Sequence, residues 1–244
     1  MTESDTTMPA QSKPAGYIAT AINILTAPAE AFRELDQRPT KLFPLALIMI
    51  STMLVTFWYF SIVDFDWFID DAILGRGDFT QEQIEATREA MESMSQTTFK
   101  MFGVFGGVFG LLVMFALQSG YLALASALNG DRYKFGNWFS LVCWTSIPYL
   151  LSTIGMAVNI LLSPNGQLSP YALDPLTLAN LGMQSSNGSV ELMMNSLNLT
   201  MIWSLVLMVM AYKQLLQSTM VKALSLVLAP YALILGIWAY FALT

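Results

Sequence analysis

"FKMFGVFGGVFGLLVMFALQSGYLALASAL", residues 99–128, carries a single charge, Lys100, at its edge, and four glycines, Gly103, Gly106, Gly107 and Gly110, near its start. A glycine inside a helix costs about 1 kcal/mol against alanine in water. A glycine-rich phosphate cradle would need a preceding strand and polar surroundings. Here the flanks are Phe102, Val104, Phe105, Val108 and Phe109. The run is longer than the ~20 apolar residues that cross a bilayer. In lipid, helices associate through close backbone packing, which small residues four apart permit. Gly103 with Gly107, and Gly106 with Gly110, form two such pairs on one stripe. These four residues are the expected helix-packing or oligomer interface, within the bundle or between subunits. A hinge, or a groove for a lipid tail, is the alternative.

Outward from this run the same medium recurs. Of 244 residues, 55% are hydrophobic and 11% charged, against roughly 25% charged in soluble domains. Spans are expected at 42–63, 99–128, 138–162, 197–216 and 223–243. The fold class is therefore all-α: a polytopic integral membrane protein, a bundle of five transmembrane helices with an N-terminal amphipathic helix. Pro148 and Pro230 lie within spans three and five and are expected to kink them. Residues 1–16 read as a disordered cytoplasmic tail, with no cleavable signal. Residues 17–41 read as a cytoplasmic amphipathic helical segment, and 42–244 as the membrane domain. Thr26 is the expected N-cap of a short helix containing Pro28 and closed by Arg38-Pro39. Its apolar face is Ala29, Phe32 and Leu35. It is expected either along the membrane surface or packed under the bundle.

The net charge of −6 hides a segregation. Lys13, Arg33, Arg38, Lys41, Arg132, Lys134, Lys213 and Lys222 fall before span one or in the alternate loops, and only Arg76, Arg88 and Lys100 on the other side. Basic residues mark cytoplasmic segments, so the N-terminus is expected inside and the C-terminus outside, in a cytoplasmic (inner) membrane. After span one comes an acidic extracytoplasmic insert, 64–98. Its Asp64, Asp66, Asp70, Asp71, Glu85, Glu89 and Glu92 form a candidate docking surface for a partner. Thr80 and Gln83 fit a capping box, opening a helix that can run straight into span two. In that helix Glu85, Arg88 and Glu92 lie at ion-pair spacing. The Asp64-Phe-Asp66 start of a calcium loop lacks its glycine and third ligand, so no metal is expected there. In the last outer loop, "PLTLANLGM" (175–183) is a candidate short helix, and the Asn187 and Asn198 glycosylation triplets are read as chance.

Catalysis has little to work with. The chain has no histidine and one cysteine, Cys143, in mid-span, which removes the commonest general base and any thiolate cluster. No charged residue lies in the interior of a span, since Lys100 and Lys213 sit at the edges, which argues against ion-coupled transport. Gln118 and Asn159 are the intramembrane amides that need partners, as interhelical glue or as a ligand contact. No cofactor, metal or nucleic acid is implied.

Three blocks resemble the Yip family of five-span membrane proteins, particularly its bacterial branch. They are "ILTAPAEAFRELDQRPTKLFPLAL" (24–47), "ALNGDRYKFGNWFSLVCWTSIPYLL" (127–151), and "NLTMIWSLVLMVMAYKQLLQSTMVKALSLVLAPYAL" (198–233), with Trp203, Lys222 and Pro230 in family-like places. The resemblance implies five spans, a cytoplasmic N-terminus and no catalysis. Eukaryotic relatives associate with Rab GTPases and carry an acidic-Leu-Tyr-Gly-Pro motif; here the nearest segment is "DQRPTKLFP" (36–44). Some bacterial relatives look like accessory partners of exporters. The expected function is a non-enzymatic scaffold or accessory subunit. Its expected partners are membrane lipids, further copies of itself, and a transporter or envelope protein. The alternative is a lipid or small-molecule conduit without ion coupling, through a groove near Gln118 and Asn159.

Overall fold

Apolar runs of this length leave the backbone no water to bond, so every amide must be satisfied inside a helix. The structure, a computed structural model, describes residues 16–75, 80–163 and 165–243, and the expected tail 1–16 lies outside them save for Gly16. Among the described residues the fold is helical, without a named strand. Three helices are long and apolar enough to cross a membrane: α3 (Leu42–Ile62), α6 (Gln96–Leu128) and α12 (Met220–Leu243). A fourth candidate is a pair, α7 (Phe135–Thr145) and α8 (Tyr149–Leu162), bent by 40°. Of the two shorter apolar helices, Tyr17–Thr26 has 10 residues and α11 (Leu199–Leu215) has 17, about 25 Å of helix for the latter.

The two prolines behave differently, and hydrogen bonding explains why. Proline removes one N–H and orphans the carbonyl four residues earlier. At Pro148 the chain tightens: the amides of Ile147, Tyr149, Leu150 and Leu151 each bond the carbonyl three residues back, at 2.9–3.1 Å. The helix breaks there. Pro230 stays inside α12. The carbonyl it orphans is that of Leu226, and this accepts the Tyr121 hydroxyl of α6 at 2.9 Å. Pro230 thus sits in an unbroken helix whose freed carbonyl finds its donor on a neighbouring helix.

At one end of the bundle lie α1 (Tyr17–Thr26) and α2 (Pro28–Gln37). Thr26 is not an N-cap. It is the last residue of α1, its hydroxyl donates back to the Ile22 carbonyl at 3.0 Å, and α2 starts after Ala27 with Pro28 at its first position. The buried face of α2 is Ala31, Phe32 and Leu35, while Ala29 is exposed. That face packs against the bundle, and Gln214 of α11 donates to the Ala29 carbonyl at 2.7 Å. Of the two expected placements, α2 takes the packed one.

At the other end, α4 (Phe65–Phe68) is capped by Asp64 and passes into a π-helical turn, Ile69–Leu74. The Thr80–Gln83 capping box opens α5 (Gln81–Ser93) with both reciprocal bonds present. This helix does not continue into α6: Met94 is extended, and Ser95 caps a new helix by accepting from the Thr98 amide at 3.1 Å. The last loop forms α9 (Pro170–Leu173) and α10 (Gly188–Ser196). Residues 175–183 do not form the expected helix. Their donors are spent elsewhere: Leu176 on the Asp174 carboxylate, Leu178 on the Leu197 carbonyl. Gly182 closes the segment at φ +101°, a conformation glycine adopts freely.

The larger core gathers Phe32, Trp138, Trp144 and Tyr212 near the first end, and a smaller one holds Tyr59, Phe68 and Ile160 near the second. Outside, Phe102, Phe105 and Phe109 of α6 stand exposed, Phe102 at 70%. Such a surface suits hydrocarbon rather than water.

Candidate functional site

The glycine stripe of α6 divides into two parts. A Cβ on Gly103 would stand 2.5 Å from Cε2 of Phe60 on α3, so this glycine admits a ring within the chain. That ring is itself held edge-on by Tyr59, Phe68 and Phe99, at centroid distances of 5.1–6.1 Å. At Gly106, Gly107 and Gly110 nothing lies within 4 Å of the added Cβ. These three face off the protein, flanked by two apolar hollows. One, of about 520 Å³, lies along Phe105, Gly106, Phe109 and Leu112. The other, of about 350 Å³, lies along Thr98, Met101, Phe102 and Phe105. Exposed backbone between protruding rings lets another helix or an acyl chain approach closely.

The two amides do not pair. Asn159 donates to the carbonyls of Ala172 and Leu173, at 2.9 and 3.2 Å, and so pins the last loop onto α8. Gln118 is half-buried and makes no hydrogen bond among the described residues. The groove expected between them is not assembled by any hydrogen bond joining the two.

A buried polar cluster that the sequence did not signal sits at the same end. Asp174, only 7% exposed, accepts the Leu176 amide on Oδ1 and the Asn198 side-chain amide on Oδ2, each at 3.0 Å. Asn198 Oδ1 caps α11 by accepting the Met201 amide at 2.7 Å and also takes the Thr200 hydroxyl at 2.9 Å. Ser152 of α8 meets that hydroxyl at 3.1 Å. Asn187 likewise caps α10, and its amide donates to the Ala242 carbonyl at 2.9 Å. In the structure, the triplets read as chance glycosylation motifs begin with helix caps.

The acidic segment is partly engaged. Asp64 caps α4 and accepts the Trp67 amide at 3.2 Å. Arg88 pairs with Asp70 of the π-helical turn at 2.6 Å, and among the described residues it forms no ion pair with Glu85. Asp71 is half-buried, Asp66, Glu85 and Glu89 are exposed, and the Glu92 side chain lies outside the described residues. Among the described residues no three acidic, His or Cys groups are placed to hold a metal ion. Lys100 reaches back to α3, donating to Ser61 Oγ at 2.5 Å with its ammonium 3.8 Å over the Phe57 ring.

The opposite end has its own latch. Asp36 of α2 accepts the Tyr133 hydroxyl on Oδ1 and the Arg132 guanidinium on Oδ2, the latter at 3.0 Å. Burial, and then the bond to Asp36, push the Tyr133 phenol up to about 12. Trp144 and Ser140 both donate to the Thr40 carbonyl, at 2.7 and 2.6 Å. Trp138 stacks on Tyr212 at 5.5 Å and donates to Ser126 at 3.0 Å. The Asp36 bonds tie α2 to the α6–α7 turn, and the Thr40 bonds tie the segment before α3 to α7.

The family model for the Yip1 domain matches residues 22–241, nearly the whole described chain, including all three blocks named from the sequence. No curated protein and no solved structure matches the chain. With membrane-length helices on one side and this match on the other, the chain belongs to the Yip1 domain family as a multi-pass membrane protein.

Proposed function

We propose that the chain is a non-enzymatic scaffold or accessory subunit of a bacterial cytoplasmic membrane, acting through protein–protein contact on the open face of α6. The observation that carries this reading is the backbone at Gly106, Gly107 and Gly110, where an added Cβ would meet nothing within 4 Å among the described residues. A second copy, or a helix of an exporter or envelope protein, seats there. Asp66, Glu85 and Glu89 offer a solvated acidic surface for an extracytoplasmic partner.

Five crossings, with the N-terminus inside, are part of the same reading. It is supported by where the loops meet. Asp36 to Arg132 and Gln214 to Ala29 gather one set at one end. Asp64 to Gly166 and Asn187 to Ala242 gather the other.

The test is a cysteine at Gly107, oxidised in native membranes, where buried Cys143 does not compete. A cross-linked pair of copies, or a stoichiometric adduct with one membrane protein, is expected. A chain that stays single under these conditions, and purifies alone, overturns the reading. The two apolar hollows favour a second function, a lipid conduit or carrier. A solitary protein that retains phospholipid through purification would select it.

A further inference from the structure

Between α1 and α2 lies a cleft of about 540 Å³, lined by Tyr17, Thr20, Glu34, Arg38 and Thr40 among others. It holds one carboxylate and one guanidinium, and among the described residues these two groups do not form an ion pair. The Glu34 carboxylate accepts the Thr20 hydroxyl at 3.3 Å. Arg38 is exposed. Tyr17, at the mouth, stacks on Phe43 at 5.2 Å, and Phe43 is the second residue of the membrane-length helix α3. Its neighbour Leu42 is 75% exposed. The cleft therefore opens where the first long apolar helix begins.

About a third of a turn round α1 from the cleft, Ile18, Ile22 and Leu25 form an exposed apolar stripe, Ile18 at 71%. No charge lies between Tyr17 and Thr26. An uncharged helix with one apolar side, tied beside the start of a crossing, suits the interfacial layer of a bilayer. We propose that the cleft between α1 and α2 holds the headgroup of an amine-bearing zwitterionic phospholipid, its phosphate on Arg38 and its ammonium on Glu34, while Ile18, Ile22 and Leu25 seat α1 in the same leaflet.

The charges argue for this headgroup over others. A guanidinium takes phosphate oxygens through its forked donors. An anionic headgroup would satisfy Arg38 but face the Glu34 carboxylate without compensation. A choline headgroup presents methyl groups where Glu34 requires a hydrogen-bond donor. Phosphoethanolamine supplies an acceptor and a donor in the order the cleft offers.

The full chain, purified in detergent, is titrated with phosphatidylethanolamine, phosphatidylcholine and phosphatidylglycerol of matched acyl chains, reading retention by native mass spectrometry. Phosphatidylethanolamine is expected to bind about tenfold tighter than either of the others, the scale of one charge-assisted hydrogen bond. Glu34→Gln abolishes the preference over phosphatidylcholine, and Arg38→Gln weakens both lipids. Glycerophosphoethanolamine, the same headgroup without tails, does not compete at equal concentration. Equal binding of the three lipids, a preference for phosphatidylglycerol, or full competition by the soluble headgroup each overturns the proposal. The comparison among lipids uses the unaltered chain, so a poorly folding variant does not remove the test.

Discussion

Alanine at Gly103 and alanine at Gly107 should move the stability of a single chain in opposite directions. Both substitutions relieve glycine's conformational cost, about 0.5–1 kcal/mol in a helix, and that part cancels between them. At Gly107 the new methyl meets open space. At Gly103 it would stand 2.5 Å from the Phe60 ring edge. The ring cannot swing freely, because Tyr59, Phe68 and Phe99 hold it. Overpacking of this kind costs about 1–3 kcal/mol. For a chain of this size each kcal/mol shifts the melting temperature by roughly 2–4 °C, so the two variants should differ by about 5 °C. The assay is thermal unfolding of the monodisperse chain in detergent, followed by tryptophan fluorescence. Phe60→Leu, which shortens the obstructing ring, should restore part of the loss in Gly103→Ala, a coupling expected between contacting residues. If both alanine variants melt together, or Gly107→Ala is the less stable, the division of the glycine stripe described here is wrong.

Asn198→Ala removes the cap of α11 and a donor to buried Asp174; it should cost about 3 kcal/mol by cap loss plus an under-satisfied carboxylate, and speed proteolysis of residues 165–197. Tyr133, with its phenol pushed up to about 12, binds its proton more tightly when folded. Its contribution is therefore complete below pH 10, the ordinary phenol value, and is lost as pH rises toward 12. Ultraviolet titration of the chain compared with Tyr133→Phe should assign to Tyr133 a phenolate that forms above pH 11 in the folded chain and near pH 10 once it is unfolded. Arg88→Gln should change stability by less than about 0.5 kcal/mol, because the pair with Asp70 is 46% and 55% exposed; a larger loss in melts at low and high salt would contradict this.

Much of the architecture could be read in the residues because hydrocarbon imposes one rule on every apolar run. The starts of α3 and α6 fall within three residues of expectation, and the Thr80–Gln83 box forms as its pattern demands. What the residues did not reveal was decided by partners distant in sequence. Nothing near Pro230 reveals that Tyr121, over a hundred residues earlier, satisfies the Leu226 carbonyl. Nothing within 175–183 reveals that its amides are claimed by Asp174 and Leu197. Thr26 had the chemistry of a cap, yet its hydroxyl found the preceding turn first. The sequence groups the four glycines on one stripe, but only the placement of Phe60 separates the one that meets a ring within the chain from the three left open. The Asp174–Asn198 cluster was invisible because a turn and a chance triplet look the same whether or not they meet.

The break at Pro148 also bears on biogenesis. Its two arms have 11 and 14 residues, each short of the ~20 that partition into a bilayer alone. A crossing built on this pair requires the two arms to partition together, because residues 135–145 are too short to leave the translocon by themselves. Beside the break the hydroxyls of Thr145 and Ser146 donate to the Leu141 and Val142 carbonyls, at 2.9 and 2.7 Å, so neither carries an unbonded O–H into hydrocarbon.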